Sequence, residues 1–208
     1  LPVTMEDMIH HARAVVRGVE SAFVVFDMPF MSYQVSAQDA LRNAGRAVKE
    51  TGCECVKLEG GGEAAAAAAA VIVEAGIPVC GHIGLTPQSV NAMGGFRVQG
   101  KGAGPAKRLI DEALRLEAAG ACMIVLECVP WKLANLITEK LKIPTIGIGA
   151  GAGCDGQVLV FHDMVNISGR KTAKFVKMFA DGNKLITDGA KAYVSEVRGG
   201  SFPAAAHT

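Results

Sequence analysis

Met123-Ile124-Val125-Leu126-Glu127 is a run of four apolar residues closed by an acid, and the same form recurs along the chain. Phe23-Val24-Val25-Phe26 ends in Asp27, Val56 leads to Lys57 and Glu59, and Val79-Cys80-Gly81 leads to His82. Each run is short and bounded by Gly, Pro or an acid, and segments of helical period separate them. The spacing predicts strands at Ala22–Asp27, Glu54–Glu59, Pro78–His82, Cys122–Glu127, Pro144–Gly149 and Gln157–Phe161. Helices are expected at Ser36–Thr51, Glu63–Ala75, Pro105–Ala119, Trp131–Leu141 and from Lys171 to about Val197. Thr4 and Ser36 can cap two of the helices, each with an Asp three residues on. Apolar strands alternating with helices indicate a parallel sheet covered by helices. In a barrel, four successive strand ends carrying an acid, base or imidazole converge on one mouth, whereas an open sheet spreads them along an edge. The expected fold class is therefore α/β, a (β/α)8 TIM barrel. Its first two strands are expected to be missing from the chain, with residues 1–208 forming one N-terminally incomplete barrel domain.

Composition narrows the function. The chain has 208 residues with 21 Lys+Arg against 20 Asp+Glu, a balance without the basic surplus that phosphate backbones demand. Nucleic acid is excluded as the main partner. Half the residues are hydrophobic, which excludes disorder. The longest apolar run, Ala64–Val73, lies between Glu63 and Glu74 and is too short to cross a membrane. No secretory leader opens the chain, and the six cysteines form no C-x-x-C pair. Reduced thiols in a cytoplasmic protein are the expectation. Gly147-x-Gly149-x-x-Ala152 matches a dinucleotide fingerprint in form, but loop and strand follow it where a helix is required.

The strand-end residues suggest chemistry one by one. Asp27 offers carboxylate oxygens to a hard cation such as Mg²⁺. Strand alternation puts Lys57 and Glu59 on one face, where an inward-pointing ion pair is costly unless it has a use. Gly60-Gly61-Gly62 then lets backbone approach a ligand. His82, between glycines, suits a neutral imidazole donating to a substrate oxygen. Glu127 follows an apolar run, surroundings that would raise its pKa toward that of a general base. The basic loop Gly94–Gly102 can act as a lid over an anionic substrate or as a solvated loop.

Seven strings occur in one order: Asp27-Met-Pro-Phe-Met-Ser-Tyr33, Val56-Lys-Leu-Glu-Gly-Gly61, Gly81-His-Ile-Gly-Leu-Thr-Pro-Gln-Ser-Val90, Gly94-Gly-Phe-Arg-Val-Gln-Gly100, Val125-Leu-Glu-Cys-Val-Pro130, Ile143-Pro-Thr-Ile-Gly-Ile-Gly-Ala-Gly151 and Asp155-Gly-Gln-Val-Leu-Val160. In that combination the chain resembles the ketopantoate hydroxymethyltransferase family from Leu1 to about His207. The resemblance implies a (β/α)8 barrel that transfers a one-carbon unit from 5,10-methylenetetrahydrofolate to 3-methyl-2-oxobutanoate, giving 2-dehydropantoate in pantothenate synthesis. It implies that Asp27 and Glu59 belong to a Mg²⁺ site, that Asp27, Lys57 and His82 contact the keto acid, and that Glu127 is the proton acceptor. It also implies a large homo-oligomer such as a decamer. One departure stands out. The family's Val-Gly-Asp-Ser type motif, with a further metal-ligand Asp and a substrate-contacting Ser, would fall before Leu1.

Two other readings fit the same residues. A Mg²⁺-dependent barrel lyase of the phosphoenolpyruvate type would form an enolate without folate. A catalytically inactive barrel would bind a small acid without turnover. Product formation from the keto acid and the folate separates both from the transferase.

Overall fold

The computed structural model describes residues 1–170 and 172–208, in two compact units, 1–158 and 159–208. In the first unit, helix α1 (Met5–Gly18) begins at a capping box in which the Thr4 hydroxyl accepts from Asp7 N and the Asp7 carboxylate accepts from Thr4 N. Strand β1 (Val25–Asp27) follows, then α2 (Ala37–Thr51), β2 (Cys55–Glu59), α3 (Glu63–Glu74) and β3 (Val79–Gly84). After a 3-10 turn at Pro87–Ser89 come α4 (Ala103–Ala118), β4 (Met123–Glu127), α5 (Trp131–Lys140), β5 (Thr145–Ile148) and β6 (Gly156–Gln157). Ser36 caps α2 by accepting from Asp39 N, and Gly52 ends it in the left-handed conformation, as the sequence leads one to expect.

All six strands are parallel and lie in sequence order, β1-β2-β3-β4-β5-β6. One face of the sheet is packed by helices. Phe26, Val56, Leu58, Ile83, Ile124 and Leu126 are buried there. The first half of this core takes in α1, α2 and α3, where Ala40, Ala44 and Ala47 form a small-residue stripe on α2, the helix that packs against α3. The second half takes in α4 and α5, with Leu109, Leu116, Leu133 and Ile137. Each such fully buried Leu or Ile contributes about 1.5–3 kcal/mol relative to its exposed state. The alternate residues Asp27, Lys57, Glu59, Val125 and Glu127 are only partly buried and share the opposite face. The alternating pattern is thus set by sequence, and it sorts apolar residues from ionisable ones.

Several boundaries differ from the sequence expectation. Pairing in β1 begins at Val25, not Ala22. The last strand is two residues long and stops at Gln157, because Gly149, with φ 64°, turns the chain away after β5 and leaves no ladder for later residues. In the second unit Phe161 opens a short helix, α6 (Phe161–Met164), instead of ending a strand. The expected helix from Lys171 also starts later: Lys171 lies outside the described residues, and α7 spans Gly182–Gly199, capped by Asp181, which accepts from Lys184 N. Residues before it run back over α6, with Phe179 N donating to Met164 O and Gly182 N to Val165 O.

Candidate active site at the strand ends

Register decides which side chains meet. Asp27 is the β-ladder partner of Lys57, and Glu59 that of His82, while Gly84 pairs with Glu127. Lys57 Nζ lies 2.7 Å from Asp27 Oδ1 and 3.4 Å from His82 Nδ1. His82 Nδ1 lies 3.6 Å from Glu59 Oε1, and its Nε2 lies 3.2 Å from Glu127 Oε2. All five residues singled out from sequence therefore form one continuous row across four strands. Lys57 and Glu59 share a face but form no ion pair with each other. Those two are separated along a strand by about 7 Å, whereas laterally opposed residues are closer, so Asp27 takes the cation.

His82 is buried, with carboxylates on both ring nitrogens' sides. Burial is the largest influence on its pKa and opposes charging, but Glu127 and Glu59 outweigh it and hold the pKa above the ordinary value. The two carboxylates thus move His82 toward the charged form, while the Lys57 ammonium beside Nδ1 opposes it. For Glu59, burial alone would raise the pKa, yet His82, the Gln88 amide and Lys57 bring it below the ordinary carboxylate value. Close as these groups are, Asp27 Oδ1 and His82 Nε2 are both buried without a hydrogen-bond partner, because the nearby Lys57 and Glu127 atoms stand off the bonding direction. Both atoms thus have a charged neighbour but no aligned hydrogen bond.

A further set of contacts behind the row went unread in the sequence. The Tyr33 hydroxyl accepts from Glu59 N at 3.0 Å and donates to Gln88 Oε1 at 2.7 Å. Gln88 N donates to Glu59 Oε2 at 2.9 Å, and Gln88 Nε2 to Met28 O at 2.8 Å. Burial pushes the Tyr33 hydroxyl pKa well up, so it stays a donor. Both residues stand inside strings quoted above, but a polar residue in a loop carries no periodic signal.

Among the described residues no group of three or more His, Cys, Asp or Glu side chains converges as a ready-made metal cage. Asp27 and Glu59 nonetheless fit Mg²⁺, which is commonly held by one or two carboxylates, with water and substrate completing the octahedron. Asp27 Oδ1 sits beside the Lys57 ammonium without an aligned hydrogen bond, so the carboxylate retains lone pairs for a metal.

A six-stranded parallel sheet in sequence order, bearing acid, base and imidazole at its C-terminal strand ends, has the α/β architecture and the site placement of enzymes related to TIM barrels. The same fold occurs in solved structures. A Burkholderia cenocepacia J2315 protein assigned as a phosphonomutase has a TM-score of 0.56 at 14% identity, over 94% of this chain and 78% of that one. The carboxyl transferase domain of Rhizobium etli pyruvate carboxylase has 0.54 at 14% identity, over 74% of this chain and 29% of that one.

Sequence comparison carries the class to a family. Residues 1–205 match the ketopantoate hydroxymethyltransferase family model. The 3-methyl-2-oxobutanoate hydroxymethyltransferases of Clostridium novyi and Carboxydothermus hydrogenoformans are 60% and 58% identical, over the whole of this chain and 75% of their own length. That of Syntrophus aciditrophicus is 57% identical over 76% of its length. The chain belongs to the ketopantoate hydroxymethyltransferase family. It is a transferase of pantothenate biosynthesis, making ketopantoate from 3-methyl-2-oxobutanoate. No described helix is long and apolar enough to cross a membrane.

Proposed function

We propose that the row Asp27–Lys57–His82–Glu59–Glu127 is the reaction centre, with Asp27 and Glu59 holding Mg²⁺ and 5,10-methylenetetrahydrofolate donating the one-carbon unit. The observation that carries this reading is the continuous row of cation, imidazole and carboxylates, Asp27–Lys57–His82 with Glu59 and Glu127, at one end of one sheet. A 2-keto acid brings acceptor oxygens that His82 and Lys57 can bind. When bound, Mg²⁺ supplies positive charge beside the carboxylate and keto oxygens. Lys57 adds a second cation on the same side, so negative charge developing on the keto oxygen is met from the β1–β2 edge. Glu127, at the other end of the row, takes the C3 proton, and His82 steadies its carboxylate. The resulting carbanion forms its new bond to the folate-borne carbon; over the whole reaction both bonds from that carbon to folate nitrogen break, water supplies the hydroxyl of the product, and the two nitrogens take up the C3 proton and one proton from water. The same reading makes 1–208 part of one (β/α)8 barrel, in a cytoplasmic homo-oligomer.

The test measures solvent deuterium entering C3 of 3-methyl-2-oxobutanoate, alongside ketopantoate formation. Exchange should require Mg²⁺ and proceed without folate, while product should require both. Exchange that is indifferent to Mg²⁺ would remove the metal from the reading, and product without folate would remove the donor.

A further inference from the structure

The geometry points to Gln88 as a positioning residue that, through Tyr33, sets the two proposed metal carboxylates, Asp27 and Glu59, at their working separation. This rests on the metal reading above. Glu59 is almost wholly buried, its side chain 5% exposed, and a carboxylate so enclosed keeps one rotamer only if both oxygens are engaged. His82 faces Oε1, and the Gln88 main-chain amide holds Oε2 at 2.9 Å. Asp27 is held from the other direction. Met28, the next residue, has its carbonyl bound by Gln88 Nε2 at 2.8 Å, sixty residues away in sequence.

The side-chain amide can take only one orientation. Met28 O accepts, so the atom facing it must be the NH₂ group. Tyr33, whose hydroxyl oxygen is occupied by Glu59 N, must spend its proton on Gln88 Oε1. Gln34 Nε2 also donates to that oxygen, at 3.1 Å. One residue thus ties the loop after β1, the end of β2 and the turn after β3. Gln88 touches neither proposed metal nor reacting carbon. Its effect is to fix where two ligands stand, which is how residues behind the ligands commonly tune a metal site.

The full chain is tested as Gln88→Met and Tyr33→Phe, with Asp27→Asn and Glu59→Gln as references. Binding of Mn²⁺ alone is followed by loss of the free-ion EPR signal, and the Mg²⁺ dependence of C3 exchange is followed in parallel. Both positioning variants should weaken Mn²⁺ binding by roughly 10–100-fold, the range for residues that orient metal ligands. Their kcat at saturating Mg²⁺ should stay within about threefold of the parent, a split that general loosening would not give. The double variant should be no worse than Gln88→Met, because both changes break one network. Tyr33→Phe loses one oxygen and keeps the ring, so it decides the matter if Gln88→Met does not fold. Parental Mn²⁺ affinity in both positioning variants, with affinity lost in Asp27→Asn and Glu59→Gln, overturns the role of Gln88 and leaves the metal site standing. Parental affinity in all four overturns the metal site itself.

Discussion

Gly84 and Glu127 face each other across β3 and β4 so closely that a Cβ on Gly84 would lie 2.2 Å from the Glu127 carbonyl oxygen. Gly84 also has φ 93°, which side chains rarely adopt. Gly84→Ala therefore carries both strain and a clash against the backbone of the proposed base. Gly76, with φ 85° and nothing within 4 Å of where a Cβ would stand, supplies the control. Each substitution should cost roughly 1–3 kcal/mol in thermal or denaturant unfolding. Only Gly84→Ala should lower kcat, by about 10²-fold, since small displacements of a reacting group have effects of that size. Equal kcat in the two variants would show that Glu127 does not depend on this contact.

Lys57 stands between Asp27 and His82, at 2.7 and 3.4 Å. Lys57→Met keeps the stem's packing but strips the cation from the keto-acid side. Loss of a charged transition-state contact is expected to lower kcat/KM by about 10²–10³-fold. Lys57→Arg should not restore it, because the planar guanidinium cannot occupy the position of a compact ammonium. Steady-state kinetics in the keto acid measures both, and full activity in Lys57→Met would exclude this residue from the reaction.

How much of the site is legible in the sequence depends on the kind of signal each residue leaves. A buried strand ending in an ionisable residue is visible as a run, so Asp27, Lys57, Glu59, His82 and Glu127 were legible, as was the parallel sheet. Partnership was not. That Lys57 meets Asp27 and not Glu59 follows from register, which only the paired strands define. The end of β6 was misread because Val158 and Val160 keep a strand-like alternation after the ladder has run out at Gln157. Asp181 was a capping residue in plain view, but the apolar residues before it extended the apparent helix. Tyr33 and Gln88 contribute through loop hydrogen bonds with no period at all.

The thiols give a prediction with a pH sign. All six cysteines are free, and Cys55, Cys80 and Cys122 influence one another's titration. The neighbouring Cys55 thiol is the main influence that brings the Cys122 thiol down to about 7, against the opposing effect of burial. Burial pushes Cys80 up to about 12. The thiolate is the nucleophile, so Cys122 alkylation by iodoacetamide should rise between pH 6 and pH 8 and level off above it. Native Cys80 should stay unlabelled over that range. Cys55→Ala removes that neighbouring thiol and should move the Cys122 midpoint upward. Peptide mass spectrometry across the pH series reads all three outcomes, and a midpoint unchanged in Cys55→Ala would show that another group activates Cys122.

Asp27, Glu59 and Glu127 are carboxylates at three strand ends, yet their surroundings predict three modes of failure. Glu127 Oε2 lies 3.2 Å from His82 Nε2, and the proposed mechanism makes this carboxylate the proton acceptor. Glu127→Gln keeps shape while removing basicity, and C3 exchange should fall by roughly 10²–10⁴-fold with keto-acid binding intact. Asp27→Asn removes the partner of Lys57 together with a proposed metal oxygen, so keto-acid affinity and Mg²⁺ affinity should weaken together. Glu59→Gln puts an amide where the Gln88 amide hydrogen and His82 both need an acceptor, and the folded protein also loses an anion whose pKa lies below its ordinary value. A depressed carboxylate pKa contributes stability above the unfolded-state value of about 4.3 and loses it as pH falls through the folded value. Glu59→Gln should therefore narrow the gap in stability between neutral and acid pH. Excess Mg²⁺ should partly restore exchange in Asp27→Asn and Glu59→Gln but not in Glu127→Gln. Exchange across a Mg²⁺ titration, with unfolding followed at neutral and acid pH, separates the three. Restoration of Glu127→Gln by Mg²⁺ would mean that the proton is taken by a different carboxylate.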